Sequence, residues 1–207
     1  MRSSSSTSQS ATSGLPSPPS PSDIAVTKDI ENHPATKVAD FLFLGNMNDA
    51  ANADSLRALG IDHVLNVTAA APSYEMSSNI KYKQLHAADN GSQNISKYFE
   101  EAFLFIDAAK KSGGSVLIHC QAGVSRSPTI AIAYLIKYFS MKMLDAYQYI
   151  KIRRSIISPN LNFMGQLLEF EQSVRGGKDE GEGSGPSSDK SWLETGGSEV
   201  NPGCGLV

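Results

Sequence analysis

The order of apolar segments predicts an α/β fold with a central mixed sheet of about five strands flanked by helices. Three observations carry this. Strand-like and helix-like stretches alternate between residues 36 and 174. Ser115–His119 is a continuous apolar run, the pattern of a strand at the centre of a sheet covered on both faces. Three helical segments follow it in succession. Taken in order, Val38–Leu44 reads as the first strand, followed by a helix over Asp49–Leu59 that Gly60 stops. His63–Thr68 and Lys81–His86 read as strands. Ser96–Lys111 is a helix with Phe99, Phe103 and Ile106 on one face, and Gly113-Gly114 ends it. After the central strand come helices over Ser127–Phe139, Met143–Arg153 and Asn160–Ser173. Open α/β sheets bind ligands at the C-terminal ends of middle strands, which here points to Cys120.

Length bounds the organisation. The 207 residues suggest one domain with tails: an arm over 1–35, a folded domain over 36–174 and a tail over 175–207. The arm begins with Ser, Thr, Pro and Gly and almost nothing apolar, so disorder is expected there. The tail is rich in Gly and acidic residues, and the same expectation applies. It holds three basic and six acidic residues, which accounts for the whole net charge of −3. No strongly basic stretch suggests a nucleic-acid partner. With only Cys120 and Cys204, a disulfide framework is excluded and a reducing cytoplasmic or nuclear compartment is expected. No apolar run has the length of a membrane span. Cys204-Gly205-Leu206-Val207 fits a prenylation pattern poorly, so no stable membrane association is expected. Ser17-Pro18 and Ser20-Pro21 fit the preference of proline-directed kinases.

The chemistry concentrates in His119-Cys120-Gln121-Ala122-Gly123-Val124-Ser125-Arg126-Ser127-Pro128. A cysteine is an effective nucleophile only as a thiolate, and a helix N-terminus beside it favours that form. The loop Gln121–Ser125 turns backbone N–H groups inward as an anion nest. Gly123 permits the tight turn, and Arg126 supplies a planar fork that matches two phosphoryl oxygens. Pro128 suits a first helical turn, where its missing N–H costs nothing.

His-Cys-x-x-Gly-x-x-Arg-Ser resembles the signature of the cysteine-dependent protein phosphatases, and this version of it their dual-specificity branch. Phe41–Asn46, Asp89–Phe99 and Ile156–Glu171 resemble the catalytic domain of the MAP kinase phosphatases, most of all those acting on stress-activated kinases. The resemblance covers roughly residues 36–174 and implies the cysteine-dependent phosphatase fold. It implies a phosphatase acting on phosphotyrosine and phosphothreonine or phosphoserine through a cysteinyl-phosphate, with no cofactor or metal. The resemblance implies Cys120 as the nucleophile, residues 121–126 as the phosphate-binding loop with Arg126 also in the catalytic set, and Ser127 as a hydrogen-bond donor to the sulfur. Ser127 as a plain helix cap remains the alternative. His119 is expected to brace the loop.

The leaving oxygen needs a proton from an acid on a movable loop. The family's aspartate stands about thirty residues before the cysteine, where this chain has Asp89. On spacing alone a turn or capping role for Asp89 is an equal alternative, and Asp62 and Asp107 are the other nearby carboxylates. The neutral side chains of Gln121, Ala122, Val124 and Ser125 disfavour a phosphoinositide substrate, since family members acting on those lipids carry lysines there. Arg153 and Arg154 are candidates for receiving the second phosphate of a Thr-x-Tyr substrate, or they complement a helix C-terminus. Asn160 either ties its turn to the phosphate loop or caps the last helix. The expected partner is a phosphorylated protein, a MAP kinase above all, met through a surface that includes Leu161, Phe163 and Met164 or through a separate adaptor. A small atypical member acting on another phosphoprotein or a phosphorylated carbohydrate is the same-class alternative. An inactive phosphosite-binding module is the rival from a different class.

Overall fold

The computed structural model of the chain describes residues 33–72 and 78–176. Among these, five strands form one sheet: β1 (Thr36–Ala39), β2 (Leu42–Gly45), β3 (Ile61–Asn66), β4 (Lys81–Gln84) and β5 (Ser115–His119). The order across the sheet is β1-β2-β5-β3-β4. β1 runs antiparallel to β2, and all other pairings are parallel. The sheet is therefore mixed, with β5 held between β2 and β3, as its uninterrupted apolar sequence requires.

Side chains alternate across the sheet. Leu42, Leu44, Leu65, Val116 and Ile118 enter the larger core. Phe43, Val64 and Leu117 enter a smaller core on the other face. The larger core lies beneath α3 (Phe99–Lys111), α4 (Arg126–Phe139), α5 (Met143–Arg153) and α6 (Leu161–Gly176). Phe99, Phe103 and Ile106 all point into it. α4 is its axis, and every residue from Ser127 to Ile136 is buried. The smaller core takes Ala50 and Leu56 from the short helices α1 (Met47–Ala51) and α2 (Ala53–Ala58).

Four expectations change in detail. The run Val38–Leu44 is not one strand but a hairpin, turned at Asp40-Phe41 with Thr36 opposite Leu44. A Lys37–Asp40 ion pair of 2.8 Å closes its tip. The helix expected over Asp49–Leu59 breaks at Asn52, whose backbone is extended and whose side chain accepts from Ser55 N to cap α2. Residues 33–35 belong to the fold rather than to an arm. Ala35 N donates to Asp49 Oδ1 at 3.0 Å, and Pro34 O accepts from Arg154. The last helix runs on to Gly176, with Arg175 paired to Glu171. The expectations for residues 1–32 and 177–207, including Ser17, Ser20 and Cys204, lie outside the described residues.

Candidate active site

Cys120 follows directly on β5 and is 1% exposed. Ser127 Oγ, in the first turn of α4, donates to Cys120 Sγ at 3.3 Å. Between them the loop of residues 121–125 is fixed from outside by its carbonyls. Gln121 O accepts from Met47 N at 3.2 Å, and Val124 O accepts from Ser158 N at 2.7 Å. Gly123 O accepts from Arg154 Nε at 3.1 Å. In a trans peptide the C=O and the following N–H point in opposite directions. With these three carbonyls turned outward, the N–H groups of Ala122, Val124 and Ser125 turn to the other side, as an anion nest requires. Gly123 has φ +69°, and a Cβ there would stand 2.5 Å from Arg154 Nη2 and 2.6 Å from Gly45 O. Only glycine fits.

Arg126 is anchored by a hydrogen bond from Nη1 to Ala87 O at 3.1 Å. Its Nε lies 3.4 Å from Asp89 Oδ2, an ion-pair distance without hydrogen-bond alignment. Asp89 stands at the loop's lip, where its Oδ1 accepts from Ser125 Oγ and from Asn160 Nδ2, both at 2.8 Å. Asn160 N in turn donates to Ser125 Oγ at 3.2 Å. Asp62 and Asp107 are engaged elsewhere: Asp62 accepts from Ser115 N, and Asp107 from the Tyr134 hydroxyl.

His119 is fully buried, with Nδ1 3.3 Å from Cys120 O. Burial, reinforced by the nearby Arg126 charge and opposed by that hydrogen bond, pushes its pKa down to about 4. The ring is neutral at ordinary pH and braces the backbone under the sulfur.

Arg153 and Arg154 part company. Arg153 is exposed, stacks its guanidinium 3.5 Å from the centre of the Tyr149 ring and donates to Tyr149 O. Arg154 is completely buried, which is incompatible with a surface receptor for a second phosphate. Besides Gly123 O, it donates through Nη1 to Pro34 O at 2.8 Å and to Thr36 Oγ1 at 3.1 Å. Burial lowers its pKa, while Asp49 and Cys120 oppose that shift. Arg154 is thus a positively charged post beneath the loop. Of the expected docking residues, Leu161 is 90% exposed and Met164 half-buried, but Phe163 is fully buried in the core and is withdrawn from any surface.

Sequence reasoning missed Asn162 and Gln166 on α6. Asn162 Nδ2 donates to Gln93 O at 2.8 Å, and Gln166 Oε1 accepts from Ile95 N and Ser96 N. Their spacing of four residues puts both on one helix face, but polar side chains at that spacing carry no sign of a partner distant in the chain. Among the described residues, no group of three or more His, Cys, Asp or Glu side chains is arranged to hold a metal. No helix among them is long and apolar enough to cross a membrane.

With this geometry in place, comparison with known proteins is informative. A family model described as dual specificity phosphatase, catalytic domain, matches residues 42–173. Human dual specificity protein phosphatase 6 is 46% identical over 139 residues, 67% of this chain and 36% of that protein. Human dual specificity protein phosphatase 9 is 49% identical over 135 residues, 65% of this chain and 35% of that protein. The chain thus spans little more than a third of the length of these relatives. Among solved structures, DUSP15 superposes with a TM-score of 0.65 and 33% identity, covering 73% of this chain and 99% of that one. The human tyrosine phosphatase-like serine/threonine/tyrosine-interacting protein gives the same TM-score and identity over 70% of this chain and 99% of that one.

Proposed function

Because the chain belongs to the dual-specificity phosphatase family, we propose that it hydrolyses phosphotyrosine and phosphothreonine or phosphoserine in proteins through a cysteinyl-phosphate, on MAP kinase activation loops. The observation that carries the reading is the convergence of Cys120, Arg126, Ser127 and Asp89 on one loop whose amides face inward. A fold shared with an interacting protein does not by itself imply catalysis, so the residues must carry the argument.

In the first step Cys120 thiolate attacks phosphorus, forming S–P as the ester P–O bond breaks. The leaving oxygen takes its proton from Asp89. The loop amides and Arg126 hold the equatorial oxygens throughout. In the second step Asp89 takes a proton from water, whose oxygen attacks phosphorus. S–P then breaks, the Ser127 hydroxyl stabilises the departing thiolate, and inorganic phosphate leaves. His119 and Arg154 support the loop without entering the chemistry.

The MAP kinase substrate, and within that class the stress-activated kinases, rests on the motif resemblance over Phe41–Asn46, Asp89–Phe99 and Ile156–Glu171, while the neutral loop side chains disfavour a phosphoinositide. A cytoplasmic or nuclear site of action follows from such a substrate. The test is phosphate release from doubly phosphorylated activation loops of each MAP kinase class. The reading expects both phosphates to be removed, fastest from a stress-activated kinase. Turnover of a small aryl phosphate with none of any kinase would refute the substrate, and no turnover of either would refute the enzyme.

A further inference from the structure

Asp89 lies on a stretch without regular structure between β4 and the short helical turn Ser96–Tyr98, so something else must aim it. A catalytic group misplaced by about 1 Å can cost on the order of 10²-fold in rate. The hydrogen bonds around it supply the answer. Asn160 Oδ1 accepts from Phe163 N at 2.9 Å and so caps α6. A backbone N–H can only donate, which fixes which end of the amide is oxygen. Nδ2 must therefore point the other way, and it meets Asp89 Oδ1 at 2.8 Å.

Ser125 completes a closed ring. Its hydroxyl donates to Asp89 Oδ1 and accepts from Asn160 N. As the residue before α4 it stands where a serine ordinarily caps the helix, yet its side chain makes no capping bond. The hydroxyl is committed to the acid instead. Farther along α6, Asn162 Nδ2 holds Gln93 O, and Gln166 Nε2 donates to the same carbonyl at 2.8 Å. Gln166 Oε1 accepts from Ile95 N at 2.8 Å and Ser96 N at 3.0 Å. Three amides of one helix thus grip residues 89–96 at both ends.

We propose that Asn160 is the positioning residue of the leaving-group acid, with Ser125 completing its grip and Asn162 and Gln166 fixing the far half of the loop. The proposal rests on Asp89 being that acid. It makes α6, with its cap, part of the apparatus that aims the acid.

Asn160→Asp separates aim from architecture. Aspartate is as good an N-cap as asparagine, so the Phe163 N–H keeps its acceptor. The donor to Asp89 is lost, and a like charge replaces it. The assay is kcat and KM for a series of aryl and alkyl phosphates of rising leaving-group pKa, on wild type, Asn160→Asp, Asn160→Ala, Asp89→Asn and the Asp89→Asn/Asn160→Asp double variant. For poor leaving groups we expect kcat/KM, which reports the phosphoryl transfer to Cys120 alone, to fall about 10- to 100-fold in Asn160→Asp. For esters whose leaving group needs no proton the change stays within about threefold, which also certifies that the variant is folded. In the double variant, Asn160→Asp adds almost nothing to Asp89→Asn, because both act through one group. Equal losses across the series, no loss with poor leaving groups, or multiplying losses in the double variant would overturn the proposal. If Asp89→Asn itself shows no leaving-group dependence, the assignment of the acid fails first and takes this proposal with it. If Asp89→Asn steepens the series and Asn160→Asp does not, only the positioning role fails.

Discussion

Removing the buried Arg154 guanidinium is the sharpest test of how the phosphate loop is held. Arg154→Ala deletes three hydrogen bonds, to Gly123 O, Pro34 O and Thr36 Oγ1. The buried Gly123 carbonyl loses a charged donor, worth about 1–3 kcal/mol. The two bonds to less buried partners add about 1 kcal/mol each. The emptied volume beneath the loop adds a cavity term, and relief from burying a charge offsets part of the sum. The net expectation is a loss of about 3 kcal/mol, read as a fall of about 1–2 M in the urea midpoint. Arg154→Lys should restore only part of this, since one ammonium cannot span three acceptors in different directions. Arg153→Ala, at an exposed site stacked on Tyr149, should cost no more than about 0.5 kcal/mol. The reasoning fails if Arg154→Ala costs under about 1 kcal/mol. It also fails if Arg154→Ala leaves stability intact while raising KM only for doubly phosphorylated substrates, the mark of a phosphate receptor.

Other consequences are equally concrete. Gly123→Ala forces a side chain into a left-handed conformation and against Gly45 O, so it should cost at least about 2 kcal/mol in denaturant unfolding and abolish binding of inorganic phosphate. His119 is held neutral with a pKa of about 4 against an ordinary 6.5. The unfolded chain therefore binds the extra proton, and stability complete above pH 6.5 falls by up to about 3 kcal/mol as pH drops through 4. His119→Gln should flatten that part of the stability profile, and an unchanged slope would show that other groups carry it. Asp89→Asn should lower kcat/KM for poor leaving groups by about 10²–10⁴-fold and for good ones far less; equal losses in kcat/KM would move the acid elsewhere.

The parts of the site that sequence exposes are those whose partners are neighbours in the chain. Cys120, Gly123, Arg126 and Ser127 lie within eight residues, and their spacing alone brings a thiol, a tight turn and a helix start together. The uninterrupted apolar run Ser115–His119 likewise placed the central strand correctly. Arg154 was opaque because two adjacent arginines ending a helix look solvated, whereas its acceptors Pro34 and Thr36 come from the opposite end of the fold. Asn162 and Gln166 were opaque for the same reason: their partners are backbone atoms about seventy residues away. Phe163 beside exposed Leu161 looked like surface because a helix start gives no sign of which side is covered. The Asp40-Phe41 turn carries neither glycine nor proline, so the hairpin read as one strand.

The measurement that bears most directly on the account is acid quenching of the enzyme during turnover of a phosphotyrosyl substrate, followed by mass spectrometry of the Cys120 peptide. The account predicts one phosphoryl group on Cys120 during turnover and none in an inactive Cys120→Ser that still binds phosphate. Turnover by Cys120→Ser, or a phosphoryl group on any other residue, would contradict it.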